Sequence, residues 1–139
     1  MTKATSTILV VDDYSDNRTL LSAWLRAKGY KVVEAQDGKE GLLQANRSHP
    51  DLILMDLAMP ELDGVEATRQ LRQRRTFSRT PIFAISAYAT HDVKADALAA
   101  GCTEVIAKPL DLPALLGKIE SSLGQNSSQP IYRAAAGRS

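Results

Sequence analysis

Leu52-Ile53-Leu54-Met55-Asp56, followed by Leu57-Ala58-Met59-Pro60-Glu61-Leu62-Asp63-Gly64, is the stretch on which the reading of this chain turns. Successive apolar residues suit a strand covered on both faces. Met59-Pro60 and Asp63-Gly64 then break the chain. The run ends in one carboxylate, Asp56, which alone says little. Three other strand-like runs also end in polar groups: Ile8 to Val11 in Asp12-Asp13, Ile82 to Ile85 in Ser86, and Val105 to Ala107 in Lys108. In a parallel sheet all of these groups meet at one edge.

Working outward, Thr7 to Val11 reads as a central strand. Asp13 or Ser15 is expected to cap the helix that follows, over 16–28. Leu20, Leu21, Trp24 and Leu25 repeat there at helical spacing, and Gly29 can close it. Lys31 to Ala35 carries charge and reads as an edge strand. A helix over 39–47 offers Leu42, Leu43 and Ala45 for burial, and His49-Pro50 stops it. Asp63 is expected to cap a helix over 64–74 whose far side, with Arg69, Arg72, Arg74 and Arg75, reads as a solvated basic face. Thr76 to Thr80 reads as a polar connection. A fourth strand, a helix over 91–100 ended by Gly101, a fifth strand over 104–107 and an amphipathic helix over 112–123 complete the pattern. The last helix carries Leu112, Leu115, Leu116, Ile119 and Leu123 on one stripe.

Five strands alternating with five helices imply an α/β fold with a parallel sheet and right-handed crossovers. The flavodoxin-like, doubly wound (βα)5 arrangement with strand order 2-1-3-4-5 is the favoured solution. It places ligands beyond the ends of strands one and three, where Asp12, Asp13 and Asp56 stand. The domain is expected over 7–123, between a short N-terminal tail (1–6) and a flexible C-terminal tail (124–139) with little to bury beyond Ile131 and Tyr132.

Bulk properties narrow the classes. The 139 residues suit one domain, with 44% hydrophobic residues for its core and a net charge of +1. That balance gives no reason to expect direct nucleic-acid binding. Cys102 is the single cysteine, so no intrachain disulfide forms. It reads as a small packed residue after a helix. No run approaches the about 18 apolar residues of a membrane span. The N-terminus lacks the apolar core of a secretory signal. A soluble, cytoplasmic protein with no membrane contact is the expectation.

Three carboxylates in one crevice repel each other and call for a neutralising cation. Oxygen-only donors suit a hard divalent ion; magnesium fits best and manganese can substitute. His49 and His91 are isolated and read as surface residues rather than zinc ligands. Lys108 supplies a point positive charge suited to a phosphate oxygen, and Ser86 a hydroxyl donor. Together these groups describe a phosphoryl-transfer site in which Asp56 is the nucleophile. The chain has no Gly-rich nucleotide loop.

Here the chain resembles the receiver domains of two-component response regulators, from about residue 8 to residue 123. The motifs that carry the resemblance are Val10-Val11-Asp12-Asp13, the stretch from Leu54 to Gly64, Ile85-Ser86-Ala87 and Lys108-Pro109. The resemblance implies that Asp56 is phosphorylated from a phosphohistidine on a histidine kinase or histidine phosphotransfer protein. It implies Mg²⁺ held by Asp13 and Asp56 directly, by Asp12 through water, and by the backbone carbonyl of Ala58. Ser86 and Lys108 would contact the phosphoryl oxygens, and the Lys108–Pro109 bond would be cis. A downstream target would be read out through helix four, strand five and helix five.

The pattern departs from the family at one place. Three residues before the lysine, receiver domains usually carry Tyr or Phe; here Val105 stands there. Switching is therefore expected to involve Ser86 together with Tyr88, which lies in the loop beyond it. Ala58, two residues after Asp56, offers no polar side chain to orient an attacking water.

The expected role is a phosphoacceptor signalling domain with autophosphorylation and autodephosphorylation activity only. It would be a stand-alone regulator or phosphorelay shuttle, or else a receiver excised from a hybrid histidine kinase or multidomain regulator. A magnesium-dependent phosphatase with an Asp nucleophile would need a second acid where Ala58 stands. A flavin-binding electron carrier would need a Ser/Thr/Gly phosphate loop where Asp12-Asp13 stands.

Overall fold

β-Branched and leucine-rich runs form strands where the apolar runs of the sequence predict them. The computed structural model of the chain describes residues 5–57 and 63–127, the last three by backbone only. Its strands are β1 (Thr7–Val11), β2 (Lys31–Ala35), β3 (Leu52–Asp56), β4 (Ile82–Ser86) and β5 (Glu104–Ala107). They alternate with α1 (Ser15–Ala27), α2 (Gly38–Ser48), α3 (Gly64–Arg72), α4 (His91–Ala100) and α5 (Leu112–Ser127). Every pairing is parallel and the order is β2-β1-β3-β4-β5. The doubly wound flavodoxin-like expectation is thus met, with β2 at an edge.

Strand order decides which helices share a face. With right-handed crossovers, the leftward step from β1 to β2 puts α1 on one face. The rightward steps put α2, α3 and α4 on the other. The second face holds Leu9, Val11, Ile53, Met55 and Ala84 of the sheet against Ala45, Ala67, Leu71 and Ala97 of the helices. The alternate residues Ile8, Val10, Leu52, Leu54 and Phe83 are buried as well, so β1, β3 and β4 are covered on both sides. Gly41 lets α2 approach β1: a Cβ there would lie 3.2 Å from a Val11 methyl.

The helix ends follow local chemistry. Asp63 accepts the N–H of Glu66 and Thr90 that of Val93, while Gly29 and Gly101 adopt positive φ at the ends of α1 and α4. At α1 the structure corrects the reading of Asp13 or Ser15 as cap. Tyr14 occupies the cap position, with no side-chain hydrogen bond. Leu20 and Leu43 are exposed, because the buried stripes run through Leu21, Ser22 and Leu25 in α1 and through Gly38, Gly41 and Ala45 in α2.

Two features escape the sequence pattern. Within the polar connection after α3, Arg75–Phe77 forms a single 3-10 turn whose Phe77 is fully buried and stacked with the His49 ring. Arg72 does not belong to a purely solvated face. Its guanidinium donates to the carbonyls of Gly101 and Phe77, joining α3 to the end of α4. Burial lowers its pKa and raises that of the neighbouring Cys102 thiol. Cys102 is buried, with Sγ 3.7 Å from Thr68 Oγ1.

The chain divides into one unit of residues 1–109, holding all five strands, and a second of 110–139, holding α5. In α5, Leu115, Ile119 and Leu123 are buried and Leu112 and Leu116 partly so. The helix runs to Ser127, past the predicted end at Leu123. Residues 128–139, where the flexible tail was expected, lie outside the described residues, as do 1–4 and 58–62. Among the described residues no helix is long and apolar enough to cross a membrane.

Candidate functional site

The sheet reverses its winding between β1 and β3, and a crevice opens at their C-terminal ends. β1 delivers Asp12 and Asp13 there, and β3 delivers Asp56. One carboxylate oxygen from each lies within 4.8 Å of the others; Asp12 and Asp56 are buried and Asp13 is exposed. From the far side Lys108 reaches in, its Nζ 3.5 Å from Asp56 Oδ2.

Asp12 is fixed from several directions. Its N–H donates to the Ala35 carbonyl at 3.1 Å. Its own carbonyl accepts from Arg18 Nη1 at 2.7 Å, and its Oδ1 accepts the Tyr14 N–H at 2.9 Å. The Asp12 carboxylate thus takes the backbone donor at this corner, and Asp13 is left at the crevice mouth.

Asp56 is fixed by what lies over it. The Leu57 N–H donates to the Ile85 carbonyl at 3.0 Å, and the Gly64 N–H to the Leu57 carbonyl at 3.2 Å. A Cβ on Gly64 would stand 2.2 Å from the Asp56 carbonyl oxygen and 2.8 Å from Leu57 Cα. The first turn of α3 therefore rests directly on the backbone of the nucleophile candidate.

On the β4 and β5 side, Ser86 is buried and its Oγ accepts the Tyr88 N–H at 3.0 Å. The hydroxyl proton remains to be donated elsewhere. The Lys108 N–H donates to the Ser86 carbonyl at 2.9 Å, which ties the two strand ends together. The Lys108–Pro109 peptide is cis. Tyr88 is 75% exposed. Val105 is partly buried opposite Ala84 in the sheet.

The structure therefore brings Asp12, Asp13, Asp56 and Lys108 together and places Ser86 beside Ile85, the strand partner of Asp56. Ala58, whose carbonyl was expected among the metal ligands, lies outside the described residues. His49 and His91 stand on α2's end and α4's start, outside the carboxylate group. Sequence reasoning missed Arg18, Tyr14 and the tight seat of Gly64. Only the last had a signal: a glycine directly after a helix cap, where most residue types would serve, points to a close approach.

The donor set fits a hard divalent cation. It is all oxygen, and magnesium bonds of 2.0–2.1 Å allow two ligands of one ion to lie at most about 4.2 Å apart. The three carboxylate oxygens, within 4.8 Å of one another, are close to that span.

Comparison with known proteins agrees with this geometry. The family model described as "Response regulator receiver domain" matches residues 8–120. The polar-differentiation response regulator DivK of Brucella ovis is 33% identical over 120 residues, which is 86% of this chain and 98% of that protein. The regulatory protein AtoC of Escherichia coli is 37% identical over 130 residues, 94% of this chain but 28% of that one. The receiver domain of the sensor histidine kinase PA1611 from Pseudomonas aeruginosa, solved with a magnesium ion coordinated in its active-site cleft, superimposes with a TM-score of 0.81. It is 36% identical, over 87% of this chain and 99% of that one. With its strand order, its strand-end carboxylates and these matches in agreement, the chain belongs to the response regulator receiver domain family.

Proposed function

We propose that the chain is a phosphoacceptor: Asp56 takes a phosphoryl group from a phosphohistidine of a histidine kinase or histidine phosphotransfer protein. The observation that carries this reading is the set of three carboxylate oxygens within 4.8 Å, with Lys108 Nζ 3.5 Å from Asp56 Oδ2. A carboxylate oxygen of Asp56 attacks phosphorus. The P–N bond breaks, its electron pair returns to the imidazole nitrogen, and that nitrogen takes a proton from solvent. The products are an acyl phosphate and neutral histidine. Asp13 and Asp56 would hold Mg²⁺ directly, with Asp12 through water and the Ala58 carbonyl beside them; Mn²⁺ can substitute. When bound, the ion supplies positive charge against the phosphoryl oxygens. Lys108 supplies the same from the other side, and the Ser86 hydroxyl donates to the third direction.

Phosphorylation leaves about two negative charges on the Asp56 side chain, about one more than the carboxylate carried. Ser86 and Lys108 respond to them, and the loop that carries Tyr88 follows, because its N–H is bonded to Ser86 Oγ. With Val105 in place of an aromatic, Tyr88 carries the switch, and a downstream partner reads α4, β5 and α5. Similarity across 98% of DivK supports a stand-alone regulator or phosphorelay shuttle. The likeness to a receiver domain of a sensor histidine kinase favours a second reading, a receiver working within a hybrid kinase.

Incubation with acetyl phosphate or phosphoramidate and Mg²⁺, followed by intact mass measurement, tests the chemistry. An adduct of about 80 Da is expected in the wild type and is absent from Asp56→Asn. No adduct in the wild type, or rapid turnover of many phosphate esters, rejects the phosphoacceptor reading.

A further inference from the structure

Arg18 is not among the groups that converge on the cleft, yet it touches the backbone of one of them. It lies on the first turns of α1 with its side chain 16% exposed. Nη1 donates to the Asp12 carbonyl at 2.7 Å, and Nε donates to Glu34 Oε1 at 3.2 Å. Glu34 belongs to edge strand β2, beside the Ala35 whose carbonyl accepts the Asp12 N–H at 3.1 Å. One planar guanidinium thus spans α1, the end of β1 and β2, gripping the peptide that joins Asp12 to Asp13. Arginine suits this because its fork can serve two acceptors in fixed directions, whereas lysine presents a single point.

We propose that Arg18 is a positioning residue for divalent-cation binding: through the Asp12 carbonyl it sets the direction in which Asp12 and Asp13 present their carboxylates to the ion. This rests on the reading of Asp12, Asp13 and Asp56 as the Mg²⁺ site. The role is geometric rather than Coulombic. Glu34, also 3.6 Å from Arg26 Nη2, offsets the guanidinium charge. An uncompensated cation at this distance would oppose a second cation, so the two roles predict opposite signs. Groups that orient metal ligands from outside typically change metal affinity by about 10- to 100-fold when removed.

The test is Mg²⁺ affinity, measured by titration calorimetry with no phosphoryl donor present. Four proteins are compared: wild type, Arg18→Gln, Arg18→Lys and Arg26→Gln. Arg18→Gln is expected to bind about tenfold more weakly. Arg18→Lys, which can reach one acceptor but not both, falls between it and the wild type. Arg26→Gln removes the same charge from the same helix and the other partner of Glu34, and should bind like the wild type. Far-UV dichroism checks each fold; if Arg18→Gln does not fold, the weaker binding of Arg18→Lys relative to Arg26→Gln carries the result. Equal or tighter binding by folded Arg18→Gln, or equal loss in Arg26→Gln, overturns the positioning role. Absence of Mg²⁺ binding by the wild type overturns the metal-site reading itself and this inference with it.

Discussion

On the β1 side of the cleft, Asp12 is engaged at its N–H, its carbonyl and one carboxylate oxygen, and Asp56 lies beneath the first turn of α3. On the β4 and β5 side, Ser86 is held by the turn that ends in Tyr88, Tyr88 is 75% exposed, and Lys108 crosses to Asp56 at 3.5 Å. On the first wall Asp12 and the Asp56 backbone are held by neighbouring elements, and Asp13 stands exposed at the mouth. The other meets it through single long or local contacts. Under the proposed role, a site that presents carboxylates to a cation and then signals that one has changed gains from this division. Preorganised ligands reduce the cost of binding, while a loop with few anchors can answer a new charge.

Substitutions can break or sharpen that contrast. The largest effect belongs to Gly64→Ala, since a methyl 2.2 Å from the Asp56 carbonyl oxygen cannot be accommodated without moving α3 or β3. A loss of about 3 kcal/mol in urea unfolding is expected. A loss below about 1 kcal/mol would show that the β1–β3 wall yields easily and would falsify its description as the fixed one.

Next comes Asp13→Asn, which removes one of three mutually repelling charges at an exposed position. In EDTA the variant should be more stable than the wild type by about 0.5–1 kcal/mol. The wild type should gain about 1.4 kcal/mol at Mg²⁺ ten times above its Kd, and the variant should lose most of that gain. Thermal melts with and without Mg²⁺ decide it; equal Mg²⁺ responses would remove Asp13 from the ligand set.

The smallest change in stability is expected from Tyr88→Ala, within about 0.5 kcal/mol because the side chain is exposed. Phosphorylation or dephosphorylation rates, followed by mass, should nonetheless shift by about threefold or more. Unchanged rates and unchanged partner binding would leave the β4–β5 wall without its proposed reporter.

How much of this was legible in the sequence depends on the period of the signal. The strands stand where continuous apolar runs place them, and strand order follows from βα alternation. The strand-end positions of Asp12, Asp13, Asp56, Ser86 and Lys108 follow in turn. What stayed hidden was set by tertiary contact. Arg18 looks like any helix-surface arginine until β2 brings Glu34 beside it. Arg72 looks solvated until Gly101 and Phe77 offer their carbonyls. The cap of α1 was misread because Asp13 and Ser15 only flank the cap position, which Tyr14 takes while donating its N–H to Asp12 Oδ1. Phe77 was overlooked because a single aromatic inside a polar segment carries no periodicity.

The seat of Gly64 on Asp56 also matters to anyone who would turn this chain into a sensor. With its carbonyl roofed at a distance that leaves no room for a methyl group, residue 56 has little backbone travel to report. An environment-sensitive dye attached near 57 or 64 would disturb the reaction and register little. The same dye at 88, or an aromatic built in at 105, would sit where the proposed response passes while leaving Asp56 in its socket.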